Sequence, residues 1–227
     1  MDSIFLCLDR HCFMLAILYD NELHYLAETV IKLFHVGDNM HIEKGKYYHL
    51  FNRSNNNEIV FKQRENYSYF LDKYQNLIMP LTETLAYCLM PTHFHFCVKI
   101  VSDDVFLFKK NIGVMLSSYT RALNKRFDRH GSLFQHHTNA TEINGSDQLE
   151  IVCHYIHQNP VRASLVTGME EWSFSSYQDI AGLRMQRIPI SHEVFPLLIK
   201  DGASFQAYSE QVWVKIKKRL DVTGPRT

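Results

Sequence analysis

The clearest pattern along the chain is a strict alternation of polar and apolar residues over positions 93–100. The polar positions are His93, His95, Cys97 and Lys99. Side chains of a strand point to opposite faces with a period of two, so the pattern predicts a strand with an apolar face and a histidine face. We expect the apolar face to join the core, and the two imidazoles on the other face to stand roughly 7 Å apart, close enough for both to bind one ion.

Other segments predict strands and helices around the histidine strand. Residues 46–53 are aromatic and β-prone, which indicates a first core strand, and 83–89 is expected to pair with the histidine strand through the turn at Pro91. Residues 131–135 are typical of a short strand or loop, and they precede a polar stretch that ends at Gly145. Apolar stripes predict helices over 21–34, 65–78, 104–129, 146–158, 192–200 and 204–220. In the helix over 146–158, Ser146 is expected to be the N-cap, and Pro160 is expected to close it.

Composition favours one domain in a reducing compartment. A chain of 227 residues with 46% hydrophobic content can bury a sizeable core. The five cysteines show no CxxC spacing, which favours the cytosol. Charged residues at Asp9-Arg10 interrupt the N-terminal apolar run, so neither a secretory signal nor a membrane span is predicted. We therefore expect a cytoplasmic protein without a membrane partner.

The charge balance requires that any polyanion be held locally, because 24 basic and 24 acidic residues give a formal net charge of zero. Residues 106–137 contain six lysines and arginines against the single acid Asp128, with Tyr119 and Phe127 interleaved. This segment is interpreted either as a solvated helix face or as the wall of a groove for single-stranded nucleic acid.

The histidine strand and one later helix carry the candidate chemistry. His93 and His95 could be two ligands of a metal ion, or simply polar residues on a sheet face, and Cys97 could extend them to a zinc site or be a small core residue. Tyr155 on an amphipathic helix is usually a packing residue, but Asn159 lies four residues later, on the same side of that helix. Spacing alone leaves these alternatives open.

Two motifs bring these residues together in a resemblance to a known family. The segment Met90-Pro-Thr-His-Phe-His-Phe-Cys-Val resembles the Met-Pro-Asn-His-x-His-hydrophobic signature of the HUH single-strand DNA transposases. The segment Tyr155-Ile-His-Gln-Asn-Pro-Val-Arg-Ala-Ser-Leu-Val resembles the signature of their REP-associated, single-tyrosine branch, also called IS200-like. Three weaker blocks match in order, at 48–53, 131–135 and 172–177, so the resemblance covers roughly residues 40–182.

The resemblance implies a role for each matching residue. His93 and His95 match the two metal-binding histidines, and Asn159 matches the position of the third ligand of an Mg or Mn ion that polarises the scissile phosphate. Tyr155 matches the nucleophile, whose attack on phosphorus leaves a 5′-phosphotyrosine link and a free 3′-hydroxyl. Because the covalent link conserves the phosphodiester energy, the implied activity is endonuclease cleavage followed by strand transfer.

The resemblance also implies a fold and a partner. The expected fold is α+β, a ferredoxin-like antiparallel sheet of four or five strands with helices packed on it, in a catalytic domain over 40–185 between extensions at 1–39 and 186–227. The expected partner is single-stranded DNA with hairpin structure, bound by a protein that is a monomer or a homodimer. Candidate phosphate contacts are Arg53, Lys125, Arg126, Arg129 and Arg162.

The sequence departs from the family pattern at a few positions and leaves two rival functions. Thr92 replaces the usual Asn before the first histidine, and His136-His137 replace the usual residues after Gln135. The rivals are a DNA-hairpin-binding protein that keeps the fold without catalysis, and a metal phosphohydrolase that uses water as the nucleophile. A hydrolase of that kind has no need of Tyr155.

Overall fold

The structure, a computed structural model, describes residues 41–191 and 203–211. The helices predicted over 21–34 and 192–200 lie outside the described residues, as do the extension at 1–39 and part of the helix predicted over 204–220. Residues 203–211 are helical.

The centre of the fold is a four-stranded antiparallel sheet in the order β2-β3-β1-β4. Its strands are β1 (Tyr47–Arg53), β2 (Thr82–Met90), β3 (His93–Ile100) and β4 (Asn139–Ile143). The helices are α1 (Arg64–Leu77), α2 (Val105–Phe127), α3 (Ser146–Arg162), the short α4 (Tyr177–Ile180) and α5 (203–211). The order βαββαβ with this strand arrangement is the ferredoxin-like pattern, and the predicted α+β fold is confirmed.

The two faces of the sheet bury different residues. On the apolar face, Phe70 of α1 lies 5.2 Å from Phe94, and Tyr74 stacks on Phe96 at 4.0 Å between ring centroids. The helix α2 packs on this face as well, with Ile112 and Met115 beside the same aromatic residues. The histidine face of β3 is covered by α3, so both faces of the sheet are buried and helices lie on both sides.

Two expectations for the helix α3 were wrong, and the polar stretch before Gly145, for which the sequence predicted no element, forms a strand. The stretch before Gly145 contains β4, an outer strand that pairs with β1. Its polar residues Asn139, Thr141 and Glu142 are accommodated there because they remain partly exposed. The helix α3 also continues beyond Pro160 to Arg162, and its N-cap is Gly145 rather than Ser146. Proline removes one backbone donor, and the side chain of Asn159 compensates by donating to the carbonyl of Ile156 at 3.4 Å.

The helix α2 begins at a side-chain cap that can be tested. Asp104 is its N-cap, and Oδ1 accepts a hydrogen bond from the backbone N–H of Leu107 at 2.8 Å. We expect Asp104→Ala to lower the free energy of unfolding by about 1 kcal/mol, since it leaves a helix donor without its partner. The neighbouring Asp103 makes an exposed ion pair with Lys44, so Asp103→Ala should change stability by less than about 0.5 kcal/mol. Urea unfolding of both variants measures the difference, and equal losses would contradict the capping role.

No helix within the described ranges is long and apolar enough to cross a membrane.

Candidate active site

The residues singled out by the sequence meet where α3 crosses the histidine face of the sheet. The ring of Tyr155 meets the ring of His95 edge-on, with 5.9 Å between centroids, and that of His49 at 6.2 Å. The rings of His93 and His95 are themselves 5.0 Å apart and nearly perpendicular. A strand with period two and a helix with period 3.6 thus bring two imidazoles and one phenol into contact.

His95 is held in place by a second buried histidine. Its Nδ1 lies 2.9 Å from Nε2 of His49, and the two rings stack with 5.1 Å between centroids. Burial lowers the pKa of His49 to about 3, and burial with the nearby charges of His93, His49 and Arg53 lowers the pKa of His95 well below its usual range. Both imidazoles are therefore neutral at physiological pH, which is the form that can bind a metal.

His93 lies at the accessible edge of the site. It is half-buried, its Nδ1 lies 3.0 Å from Oγ1 of Thr92, and it pairs in the sheet register with Arg53. Burial, with a smaller contribution from the charge of Arg53, lowers the pKa of His93 to about 4. Thr92, which replaces the usual Asn of the family motif, thus contacts the first histidine directly.

Tyr155 is only 8% exposed, and its surroundings shift the pKa of its phenol in opposing directions. Burial raises its pKa, while the charges of Arg162 and Arg53 and a hydrogen bond with the side chain of Asn159 act to lower it. The guanidinium carbon of Arg162 lies 5.2 Å from the centroid of the phenol ring. The two arginines therefore favour the phenolate, although burial leaves the neutral phenol as the resting form.

Asn159 is fixed by its own helix. Its Nδ2 donates to the backbone carbonyl of Tyr155 at 2.8 Å and to that of Ile156 at 3.4 Å. These bonds, with the one to the Tyr155 phenol, orient the amide, whose Oδ1 is the atom type that binds a hard cation.

The donor set at this site fits a divalent metal ion. His93 and His95 both use Nδ1 for contacts within the protein, which leaves Nε2 of each ring for a ligand, and Asn159 adds an amide oxygen. His49, bonded to His95, supplies the outer partner that metal-binding histidines usually have.

A zinc site made of histidine and cysteine is a different case. Within the described residues, no group of three or more His, Cys, Asp and Glu side chains could hold a metal. The His-His-Cys zinc site considered from the sequence is therefore not formed, and Cys97 instead lies against Cys153 of α3, where both are buried.

The described fold is similar to that of a protein of known structure. The chain shares its fold with a solved tyrosine transposase. That structure, a REP-associated tyrosine transposase bound to a REP hairpin, matches 70% of this chain and 93% of its own with a TM-score of 0.54 and 15% sequence identity. No family model matches the chain, and no curated protein matches it. The relationship to the transposase is therefore one of structure.

The candidate site includes only some of the basic residues predicted to contact DNA. Arg53 and Arg162 lie beside Tyr155 and His93, as described above. Lys125 and Arg126 are exposed at the end of α2, on the opposite side of the sheet. Arg129 is engaged with Glu58, through Nε–Oε1 and Nη2–Oε2 contacts of 2.8 and 2.7 Å. This forked ion pair uses the donors that a phosphate would need.

His49 is the site residue that the sequence reasoning did not identify. The first strand alternates as well, with Tyr48 and Leu50 on the face opposite to His49. This alternation could have indicated a further histidine on the same face of the sheet as His93 and His95. Its partnership with His95 depends on the register between β1 and β3, in which His49 lies opposite Cys97 and diagonal to His95. A single sequence does not define that register.

Proposed function

We propose that this protein is a metal-dependent single-stranded DNA endonuclease and strand transferase of the REP-associated, single-tyrosine HUH family, acting on hairpin-bearing DNA. The observation that carries the proposal is the edge-on contact between the Tyr155 phenol and His95, whose ring lies 5.0 Å from that of His93. The tyrosine and the histidines come from segments some sixty residues apart. The shared fold with a transposase bound to a DNA hairpin supports the choice of DNA as the substrate.

In this proposal Tyr155 is the nucleophile. The phenol loses its proton, Oη forms a bond to phosphorus as the bond from phosphorus to the 3′-oxygen breaks, and that oxygen takes up a proton to give a free 3′-hydroxyl. The 5′ end of the cut strand remains on Tyr155 as a phosphotyrosine ester. The guanidinium groups of Arg162 and Arg53 stabilise the phenolate and receive the negative phosphate beside it.

The same residues account for strand transfer. Burial of Tyr155 keeps bulk water from the phosphotyrosine ester, so the 3′-hydroxyl of another strand can attack it and regenerate the phenol. His93, His95 and Asn159 would hold the Mg or Mn ion, which when bound acts as a Lewis acid on the phosphate oxygens.

The DNA contacts divide into two groups by position. Arg53 and Arg162 would contact the phosphates next to the cut. Lys125 and Arg126, on the far side of the sheet, would contribute salt-sensitive contacts to the rest of the DNA, and Arg129 would do so only after leaving Glu58.

Covalent capture tests the proposal. The full-length protein is incubated with a labelled single strand that contains a hairpin, in the presence of Mg or Mn, and separated under denaturing conditions. We expect a protein–DNA adduct that mass spectrometry places on Tyr155, together with a released fragment that ends in a 3′-hydroxyl. Binding of the hairpin without cleavage would instead favour the non-catalytic binder, and cleavage without an adduct would favour the hydrolase.

His49 gives a separate test of the metal site. Only when Nδ1 of His95 donates to Nε2 of His49 does Nε2 of His95 keep its lone pair for a metal. We expect His49→Leu to weaken Mn binding by about 10- to 100-fold, as loss of an outer partner does at other metal sites. His49→Gln, which can still accept the hydrogen bond, should recover most of the affinity.

The measurement for His49 is the dissociation constant of Mn, obtained from the spin-resonance signal of the free ion. Thermal unfolding of both variants shows whether the fold is retained. Equal Mn affinity in the Leu and Gln variants would show that His49 does not orient His95.

A further inference from the structure

A second basic site lies on the side of the sheet away from Tyr155. There, α1 faces the segment 184–188 across a cavity of about 290 Å³, and Phe174 forms part of its floor. The cavity is lined by Arg64, Ser68, Leu71, Asp72, Gln75, Phe174, Arg187 and Ile188. We name it the α1 groove. Its volume lies near the lower end of the range for small-ligand pockets.

Two guanidinium groups converge on Phe174 in the α1 groove. The guanidinium carbons of Arg64 and Arg187 lie 5.4 and 5.1 Å from the ring centroid. Tyr67 stacks on the ring of Phe174 at 3.7 Å, and the backbone carbonyl of Phe174 accepts a hydrogen bond from Leu89 of β2 at 2.8 Å. The platform between the two arginines is therefore fixed by the core.

Carboxylates act on this pair from a distance, because the charge of Asp179 acts on Arg187 and Asp72 lies at the other end of the groove. Neither Arg64 nor Arg187 makes an ion pair in the described part of the chain, whereas the nearby Arg184 is bound to Asp179 at 2.5 Å. Burial lowers the pKa of Arg187, and so do the charges of Arg184 and Arg64. The exposed guanidinium of Arg64 and the half-buried one of Arg187, neither ion-paired among the described residues, together favour an anion with several oxygen acceptors, such as a phosphate.

The other end of the α1 groove offers a different chemistry. Asp72 follows Arg64 by eight residues, which is about 12 Å along the helix axis. Its exposed carboxylate accepts hydrogen bonds and would suit a base that carries an exocyclic amine. Leu71 and Ile188 supply apolar walls between the two ends. The groove thus offers contacts for a phosphate, an apolar ring and an amine, in that order.

We propose that the α1 groove binds one nucleotide of a single-stranded segment of the DNA substrate, with its phosphate at Arg64 and Arg187 and an amine-bearing base toward Asp72. This inference rests on the proposed function for the identity of the strand. A free mononucleotide has the same chemistry and is the other source of such a ligand. A strand held here is anchored on the opposite side of the sheet from the reacting phosphate.

The test measures binding to fluorescent eight-nucleotide strands without a hairpin, by anisotropy, in a Tyr155→Phe background and at several salt concentrations. We expect Arg64→Ala and Arg187→Ala each to weaken binding several-fold and to reduce the slope of log affinity against log salt by about 0.7. Lys73→Ala is the matched control, because Lys73 lies on α1 over Tyr69 and outside the groove. Arginine variants that match this control in affinity and slope would overturn the proposal.

Base preference and mononucleotides complete the test. Strands of adenine or cytosine should bind more tightly than strands of thymine, which lacks an exocyclic amine, and Asp72→Asn should reduce the preference. If mononucleotides bind in an arginine-dependent way while strand binding is unaffected by both arginines, the ligand is a free nucleotide and the assignment to the strand fails. Adduct formation by the wild-type protein is scored separately. If the adduct forms but binding does not depend on the arginines, only the proposal for the α1 groove is refuted. If binding depends on the arginines but no adduct forms, only the proposed chemistry of Tyr155 is refuted.

Discussion

Tyr155→Phe should abolish the covalent protein–DNA adduct, because it removes the single oxygen that forms the bond to phosphorus in the proposed mechanism. The variant keeps the aromatic ring, and with it the edge contacts to His49 and His95 and the position under Arg162. Hairpin affinity and thermal stability should therefore stay close to those of the wild-type protein. The expected loss concerns bond formation, and the adduct should fall below detection rather than by a small factor.

The measurement is a denaturing gel of labelled hairpin DNA with the wild-type protein and the variant at equal occupancy. Tyr69→Phe is a matched control, since Tyr69 is 39% exposed on α1, on the other side of the sheet. We expect the control to form the adduct at the wild-type rate. An adduct that persists in Tyr155→Phe would mean that another residue is the nucleophile.

His93→Ala should lower the rate of cleavage by about a hundredfold or more, since loss of a metal ligand removes several kcal/mol of transition-state stabilisation. His93 is half-buried at the edge of the site, so its truncation should disturb the fold less than that of His95, whose Nδ1 partners the buried His49. Hairpin affinity should change by less than about twofold, because phosphate contacts supply most of the binding energy.

Single-turnover cleavage over a range of Mn concentrations measures this effect, alongside hairpin binding without metal. His136→Ala is the control, since His136 is exposed and its ring lies 2.9 Å from that of His137, Nδ1 to Nε2. Unchanged cleavage in His93→Ala would show that the histidine pair is not a metal site. Loss of cleavage here combined with full cleavage by Tyr155→Phe would identify a hydrolase that uses water.

The segments in which polar and apolar residues alternate regularly could be predicted from the sequence. The alternation around His95 defined β3 and its two faces, and the four-residue spacing of Tyr155 and Asn159 placed both on one side of α3. These features are local, so one segment contains all the information they need. The pairing of His49 with His95 depends instead on which residues of β1 and β3 face each other, and this is decided by the packing of the whole sheet.

The remaining differences arise where tertiary contacts override a local signal. β4 has three polar residues among its five, and it is recognised only through its pairing with β1. Arg129 belongs to a basic run that indicates a solvated or DNA-facing helix, yet its guanidinium is held by Glu58, which is 71 residues earlier in the chain. The α1 groove joins Arg64 to Arg187 across more than half of the described chain, and no spacing rule connects two such positions.

The pair Asn159-Pro160 has a further consequence for the proposed metal site. Because Pro160 has no backbone N–H, the carbonyl of Ile156 lacks its ordinary helical donor, and the amide nitrogen of Asn159 turns toward it and toward the carbonyl of Tyr155. The amide plane is thus oriented when the helix folds, before any ion arrives. The entropy of ordering this side chain is already lost in folding, so the missing N–H of Pro160 would preorganise Asn159 as a ligand of the proposed ion.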